Sequence, residues 1–237
     1  SSCVAALGKK VLIVDLDPQG NTTSGLGMEV DDKSIYEVIM GRMKLTDVME
    51  ETEFKNLSIA GSDVRLANAE LELVEVEKRE YRLKTAVQSV QQDFDFIFID
   101  CPPSLGLLTI NALGAADSVL IPIQCEYYAL EGVASLMNTI SRVKKTINPH
   151  LEIEGVLLTM LDGRTNLGLQ VVDEVKKHFK KQVYATVIPR SVRLGEAPSH
   201  GEPIHVYDKR SAGCVAYVNL AKEVLKRNNI KVKEFKL

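Results

Sequence analysis

Several patterns that assign chains to familiar classes are missing from these 237 residues. The four cysteines form no C-x-x-C pair, which argues against a structural zinc site and a disulfide framework and fits a reducing cytosol. The four histidines also lack the spacing of metal ligands. No apolar run approaches the roughly 20 residues of a membrane span. With 45% hydrophobic and 26% charged residues, the composition is that of an ordinary globular protein.

Two glycine-rich phosphate-binding patterns are absent as well. The sequence contains neither G-x-x-x-x-G-K-[ST], the P-loop, nor G-x-G-x-x-G, the dinucleotide fingerprint. Gly8-Lys9-Lys10 lacks both the upstream glycine and the following Ser or Thr of a P-loop. A dinucleotide-binding site of the Rossmann type is therefore excluded on motif grounds.

What is present is an alternation of short apolar runs and amphipathic segments. The runs predict strands at 11–14, 57–61, 94–99, 118–122, 153–160 and 183–188. Helices are predicted at 1–8, 34–49, 65–75, 79–91, 105–114, 129–147, 166–181 and 212–227. Such alternation is typical of an α/β fold with a mainly parallel sheet and helices on both faces. We expect one domain over 1–237, ending in a short basic tail at 228–237.

Acidic residues stand where two of the predicted strands end. Asp15 and Asp17 close the run at 11–14, and Asp100 closes the run at 94–99. Ligands bind at the carboxyl ends of strands in such sheets, and a carboxylate there can hold Mg²⁺ beside nucleotide phosphates. A polar loop start or a helix cap is the open alternative for each of them.

The net charge of −3 conceals two unlike halves. Residues 1–139 hold 11 Lys and Arg against 22 Asp and Glu, whereas residues 140–237 hold 18 against 10. The basic C-terminal half suggests a negatively charged partner. Solvated helix faces would explain the same charges, and charge alone does not decide between the two.

Four long stretches resemble the ParA/Soj-type chromosome-partitioning ATPases in order and spacing. They are VLIVDLDPQGN at 11–21, FIDCPPSL at 98–105, QCEYYALEG at 124–132 and IPRSVRLGEAPSHG at 188–201. The resemblance runs from residue 1 to about 227 and implies a P-loop NTPase-like fold of the ParA/MinD type. Because that family begins with a strand and the deviant P-loop K-G-G-V-G-K-T-T, we expect this sequence to lack roughly 20 N-terminal residues. The first strand would then be absent, which leaves a gap in the sheet with unpaired backbone groups.

The resemblance also implies an activity with its cofactors and partners. Members hydrolyse ATP with Mg²⁺, form an ATP-sandwich homodimer and bind DNA without sequence preference. A centromere-binding partner of the ParB/Spo0J type stimulates hydrolysis and releases the DNA. A cytoplasmic, nucleoid-associated protein for chromosome or plasmid segregation is implied, and without the P-loop the chain as given is expected to be inactive.

Site residues follow from the resemblance position by position. Asp17 matches the aspartate that orients the attacking water, Asp15 its neighbour near the magnesium shell, and Asp100 the Walker B aspartate that holds the metal. Met160, Pro189 and Arg190 match the residues of the adenine pocket, and Glu126 matches a residue of the nucleotide site near the dimer face. Arg164 and Arg193 match positions that the family uses to contact DNA.

Three alternatives remain open from the sequence. A membrane-recruited division-site ATPase of the MinD kind shares the fold, but its C-terminal amphipathic helix has no clear counterpart in this irregular tail, so membrane contact is not expected. An iron–sulfur relative would need cluster-ligating cysteines at a dimer interface. The third is an inactive fragment of the partition ATPase.

Overall fold

The computed structural model describes residues 1–126 and 129–231. Its strands are β1 (Val11–Asp15), β2 (Met49–Glu51), β3 (Leu57–Ala60), β4 (Phe96–Asp100), β5 (Ser118–Gln124) and β6 (Glu152–Thr159). Its helices are α1 (Ser2–Ala6), α2 (Asn21–Ser24), α3 (Ile35–Ile39), α4 (Leu45–Val48), α5 (Leu66–Glu72), α6 (Arg82–Gln88), α7 (Leu107–Ala115), α8 (Ala129–Thr146), α9 (Asn166–Phe179), α10 (Val192–Glu196), α11 (Ile204–Tyr207) and α12 (Ala212–Arg227).

The strands form a mainly parallel arrangement, as predicted. Four of them lie in the order β2-β3-β1-β4, in which only β2 runs antiparallel to its neighbour. Strands β5 and β6 form a separate parallel pair. Successive side chains of β1 point to opposite faces, so Leu12 and Val14 join a core with α3 to α7, whereas Val11 and Ile13 join a core with α1 and α12. Helices therefore cover both faces of the larger sheet.

The sheet is divided between β4 and β5. Within the described residues β4 pairs only with β1, and β5 pairs only with β6. The sequence predicts a strand buried on both faces at 94–99, yet Phe96 to Ile99 are only partly buried, because one edge of β4 has no neighbour in the described part of the chain.

Helix α12 connects the two sheets through a shared core. Leu220 and Val224 of α12 are buried with Leu157 of β6, and Phe96 of β4 and Leu120 of β5 pack against the same cluster. The helix thus bridges the division that the hydrogen-bonded ladders leave. Helices α8 and α9 cover the opposite face of the β5–β6 pair.

Two predicted elements differ in the structure. The helix expected at 34–49 is two short helices, α3 and α4, because the chain turns at Gly41 with a positive φ of 75°. The strand expected at 183–188 is wrong, since no continuous ladder forms there: Val183 makes an isolated bridge to Val156, and Pro189, just after the segment, makes one to Leu161. The tail from 232 to 237 lies outside the described residues. Among the described helices, none is long and apolar enough to cross a membrane.

A side chain interrupts the backbone pairing of the 183–188 segment in its middle, whereas the Tyr184 and Ile188 N–H groups donate to carbonyls of β6. The N–H groups of Ala185 and Thr186 donate to the two carboxylate oxygens of Glu223 in α12, at 2.8 and 2.9 Å. Arg227, one turn later, donates to Glu223 at 3.0 Å. Burial opposes ionisation of Glu223, but these hydrogen bonds outweigh it and lower the pKa of its carboxyl.

We expect Glu223→Gln to destabilise the fold by about 2 kcal/mol, because one amide N–H then faces an NH₂ group instead of an acceptor. Since the pKa of Glu223 is lowered in the folded state, its contribution is complete above the pKa of an unfolded glutamate. It is lost as the pH falls through the lowered value. Urea unfolding at neutral and acidic pH should show the variant and the parent converge in acid. Glu152→Gln, on an exposed part of β6, is the control, and an equal loss there would contradict the assignment.

Candidate functional site

A buried carboxylate organises the loop that follows β1. Asp15 has no exposed surface, and its Oδ2 accepts from the Thr23 N–H at 2.9 Å and the Thr23 hydroxyl at 2.7 Å. Its Oδ1 accepts from the Asp17 N–H at 3.2 Å. Burial raises the pKa of Asp15, and the hydrogen bonds from Thr23 and Asp17 only partly offset that rise. With both oxygens engaged inside the protein, Asp15 is placed to position the loop.

The same threonine joins this loop to the end of β3. Thr23 Oγ1 accepts from the Ser62 N–H at 3.0 Å while it donates to Asp15. Between Asp15 and Thr23 the chain turns at Gly20, where φ is 63°. A Cβ at this position would meet the Ser62 carbonyl oxygen at 3.3 Å. One hydroxyl therefore fixes the loop to both neighbouring strands.

Asp17 and Asp100 present carboxylate oxygens near this buried anchor. Asp17 Oδ1 accepts from the Gln19 N–H at 2.9 Å, which forms a local turn and orients the carboxylate. Asp100 is aligned with Asp15 across the parallel β1–β4 ladder and is exposed. Burial, and then the negative charges of Asp100 and Asp17, raise the pKa of the Cys101 thiol to about 12. The two carboxylates thus lie close to a thiol that stays neutral.

The surroundings of Asp100 fit a magnesium ion. Asp100 Oδ2 accepts from the Thr22 hydroxyl at 2.5 Å, so a carboxylate and a hydroxyl oxygen meet at the strand end. Mg²⁺ prefers such oxygen ligands and usually keeps several waters. The described residues contain no cluster of three or more His, Cys, Asp or Glu side chains arranged for a metal. Waters and phosphate oxygens would therefore complete the shell.

A cavity of about 750 Å³ opens at the carboxyl ends of β5 and β6. Its size is that of a small-molecule site. It is lined by Pro122, Ile123, Gln124, Cys125, Glu126, Met160, Asp162, Thr165, Leu167 and Arg190. The structure thus brings together three predicted site residues, Glu126, Met160 and Arg190. Pro189 instead lines a neighbouring cavity of about 680 Å³ between the 185–189 segment and α12.

Charged and strained residues shape the mouth of the first cavity. Arg190 forms an ion pair with Glu126, although the two are far apart in sequence, and each side chain is about half exposed. Met160 follows β6 with φ at 53°, a conformation that non-glycine residues seldom adopt. Leu161 then pairs with residues 188–190. Its N–H donates to the Ile188 carbonyl, and its own carbonyl accepts from the Arg190 N–H. This exchange holds Met160 and Arg190 side by side.

The two arginines predicted to contact DNA are both paired with carboxylates. Arg164 donates two hydrogen bonds to the Asp162 carboxylate, from Nε at 2.9 Å and from Nη2 at 2.7 Å. This bidentate pairing lowers the pKa of Asp162. The Arg164 side chain is nonetheless 90% exposed. Arg193 in α10 donates to Glu196 at 2.9 Å and lies 3.5 Å from an Asp208 oxygen.

We call Asp15, Asp17 and Asp100, with the residues that hydrogen-bond to them, the carboxylate centre. Sequence reasoning missed two of its residues. Thr22 and Thr23 directly follow Asn21, the last residue of the first family-like stretch, and no motif in the sequence assigns them a role. The structure shows that each donates its hydroxyl to a different strand-end aspartate. Two adjacent hydroxyl residues a few positions after a D-x-D pair are the signal that would have found them.

Comparison with known proteins first defines the class. Residues 1–153 match the family model described as an AAA domain. The fold matches that of cobyrinic acid a,c-diamide synthase from Mycobacterium smegmatis, solved with a bound ATP analogue and magnesium. That match has a TM-score of 0.82 and 34% identity, and covers 99% of this chain and 92% of that one. MinD from Pyrococcus horikoshii, solved with Mg-ADP, gives 0.81 and 25% identity over 98% and 90% of the two chains. The α/β fold predicted from the sequence, P-loop NTPase-like and of the ParA/MinD type, is confirmed.

Curated relatives narrow the class to one family. The chain is 58% identical over 225 residues to the sporulation initiation inhibitor protein Soj of Bacillus subtilis, which is 94% of this chain and 89% of that protein. It is 48% identical to the chromosome partitioning protein ParA of Myxococcus xanthus, over 98% and 82% of the two. The chain belongs to the Soj/ParA family of chromosome-partitioning ATPases. The resemblance found in the sequence is therefore confirmed, whereas the individual residue roles stay predictions.

We expect Thr23→Val to lower the free energy of unfolding by about 2 kcal/mol, because Asp15 loses a donor and the Ser62 N–H loses its acceptor at a buried position. Thermal and urea unfolding would measure the loss. Thr46→Val changes a threonine at an exposed position of α4 and should leave stability nearly unchanged. A Thr23→Val protein as stable as the parent would show that this hydroxyl does not hold the loop.

Proposed function

We propose that this protein is the ATPase of a DNA-segregation system, in which ATP and Mg²⁺ drive formation of a homodimer that binds DNA without sequence preference. A ParB/Spo0J-type partner stimulates hydrolysis and so releases the DNA. The observation that carries the proposal is the meeting of Asp15, Asp17 and Asp100 at the carboxyl ends of β1 and β4. The 58% identity to Soj supports the same activity. Such a protein would work in the cytoplasm, on the nucleoid.

Each carboxylate has a separate part in the proposed hydrolysis. Asp100 would hold Mg²⁺ through water, with Thr22 on the same carboxylate, and the metal supplies positive charge to the phosphates. Asp17 would orient the attacking water, because one of its oxygens is fixed by the Gln19 N–H and the other accepts nothing within the described residues. Asp15 would act on the magnesium shell indirectly, by holding Asp17 and Thr23 in place.

The adenine end of the nucleotide is proposed to lie at the β5–β6 end. Met160, Pro189 and Arg190 would form the pocket wall, since Met160 and Arg190 line one cavity and Pro189 the next. The Glu126–Arg190 pair would hold the guanidinium against the base. Glu126, half exposed at the mouth, is then the residue of this set placed to face a second protomer.

In an ATP-hydrolysing version of the protein, we expect Asp17→Asn to keep nucleotide binding and to lower turnover by about a hundredfold, because orientation of the attacking water is lost. Radiolabelled ATP binding and phosphate release, measured on the same preparation, separate the two effects. Asp93→Asn, an exposed carboxylate away from the strand ends, is the matched control. Unchanged turnover in Asp17→Asn would remove the residue from this role.

We propose that the triphosphate is held by a P-loop, a motif that does not occur in residues 1–237. These residues supply the carboxylates and the cavity, but no P-loop motif. We therefore expect them to bind ATP weakly and to be inactive on their own. Calorimetric titration of Mg²⁺-ATP into the chain, and into a version extended upstream by a strand and a K-G-G-V-G-K-T-T loop, tests this expectation. Tight binding only to the extended version is the expected result. Equal binding to both would mean that other groups hold the phosphates.

DNA contact is proposed for the basic half of the chain. Arg164 and Arg193 would bind phosphates, with exposed lysines of α9 and the following turn nearby in sequence, namely Lys176, Lys177, Lys180 and Lys181. Both arginines are held by carboxylates, so DNA phosphates have to compete with Asp162 and Glu196. Each phosphate contact also releases counterions from the DNA, so we expect binding to weaken as the salt concentration rises.

We expect Arg193→Ala to weaken DNA binding by an ATP-bound, P-loop-extended protein and to reduce the slope of log affinity against log salt by about 0.9. Filter binding on two unrelated DNA sequences should show the same loss, because a phosphate contact reads no sequence. Lys55→Ala, an exposed lysine in the acidic half, is the control. A salt slope that Arg193→Ala leaves unchanged would remove this residue from the interface.

A further inference from the structure

The segment 64–75, which consists of helix α5 and the turns on either side of it, carries apolar residues on an inner and an outer side. Its inner side buries Leu66 and Ala69, and Leu73 continues this side into the turn that follows. On the outer side the exposed apolar residues are Leu71 of α5, Val64 in the turn before it and Val74 in the turn after it, with 77%, 77% and 55% of their surface exposed. A surface helix of a soluble domain ordinarily turns charged residues outward, so an apolar outer side indicates an interaction surface.

The outer apolar residues lie close together along the chain. Leu71 and Val74 are three positions apart, a spacing that places neighbours on one side of a helical segment, and Val64 lies in the turn that leads into α5. Leu105, 39% exposed, lies in the loop after β4, next to the Gly106 against which the Glu70 carboxylate packs. We call Val64, Leu71, Val74 and the surrounding glutamates Glu70, Glu75 and Glu77 the α5 outer surface.

The frame of this surface is acidic. Residues 66–77 contain four glutamates and no lysine or arginine. Glu72 is engaged by Tyr36 and Arg42, but Glu75 and Glu77 are exposed and form no ion pair within the described residues. One oxygen of Glu70 is buried and accepts no hydrogen bond from any described group. A partner that supplies cationic donors would pair with the exposed carboxylates of Glu75 and Glu77.

We propose that the α5 outer surface binds a basic amphipathic helix of a second protein. Leucine-like side chains at helical spacing would cover Leu71 and Val74, and lysines or arginines would reach Glu75 and Glu77. A second copy of this chain fits less well, because it would bring two sets of four glutamates together. This binding requires no nucleotide and goes beyond the proposed function.

Two contacts connect this surface to the carboxylate centre. Glu70 lies against Gly106, in the loop that begins after Asp100. Ser62, two residues before Val64, donates its N–H to Thr23 Oγ1, which in turn holds Asp15. The segment that carries the α5 outer surface is therefore joined, through buried contacts, to both loops that carry the candidate catalytic aspartates.

Fluorescence anisotropy with a labelled synthetic peptide tests the proposal on the chain as it is. The peptide carries leucines at i, i+3, i+4 and i+7 and lysines elsewhere. A second peptide has glutamates in place of the lysines. We expect only the basic peptide to bind, with affinity that falls as salt rises. Leu71→Ser/Val74→Ser should weaken binding about tenfold, because two apolar contacts are lost, and Glu75→Lys/Glu77→Lys should do the same by charge reversal.

Matched controls make each outcome decisive. Leu169→Ser in α9, another exposed apolar residue, and Glu53→Lys/Asp93→Lys, another exposed acidic pair, should bind the basic peptide like the parent chain. Equal weakening in the controls, or binding of the acidic peptide, would overturn the proposal. So would self-association of the parent that Leu71→Ser/Val74→Ser abolishes in sedimentation, which would assign the surface to a second copy. Tighter peptide binding by a chain ending at residue 231 would assign it to the protein's own tail.

Discussion

The buried hydrogen bonds of Asp15 are the constraint on which the candidate site depends. An ionised or protonated carboxyl with no exposed surface must have its oxygens satisfied inside the protein, and here Thr23 and the Asp17 amide do so. Satisfying it fixes the turn through Gly20, the position of Asp17 and, through Ser62, the end of β3. We infer that a carboxylate with no exposed surface of its own positions the water-orienting and metal-binding residues of the proposed mechanism.

A second constraint is the division of the sheet between β4 and β5. The β4 side chains stay partly exposed because hydrogen bonding ends at that edge in the described part of the chain. Helix α12 compensates by packing Leu220 and Val224 against residues of both sheets, and its Glu223 holds the amides of the 185–186 segment. The carboxylate centre and the β5–β6 cavity thus belong to separate ladders, joined through a helix rather than through a continuous sheet.

Much of this arrangement was predictable from local patterns. The boundaries of α12 were predicted to the residue, and β1 within one residue, because both rest on strong periodicity and on clear ends. The absence of a strand at 183–188 could not be predicted from the sequence, because the apolar run is typical of a strand. The competing acceptor, Glu223, lies in a helix and is 37 positions away from Thr186. The carboxylates at strand ends were found from position alone, whereas the two threonines that hold them were not.

The sequence by itself determined the fold class, the strand-end aspartates and the family, since apolar periodicity and long motif stretches are written in consecutive residues. Only the tertiary structure decided that Asp15 turns inward, that Arg190 meets Glu126 across 64 positions, and that both candidate DNA-binding arginines are already paired. It also decided that α5 leaves an apolar outer side exposed. Those properties depend on which distant groups come into contact and what solvent is excluded, and no local pattern encodes either.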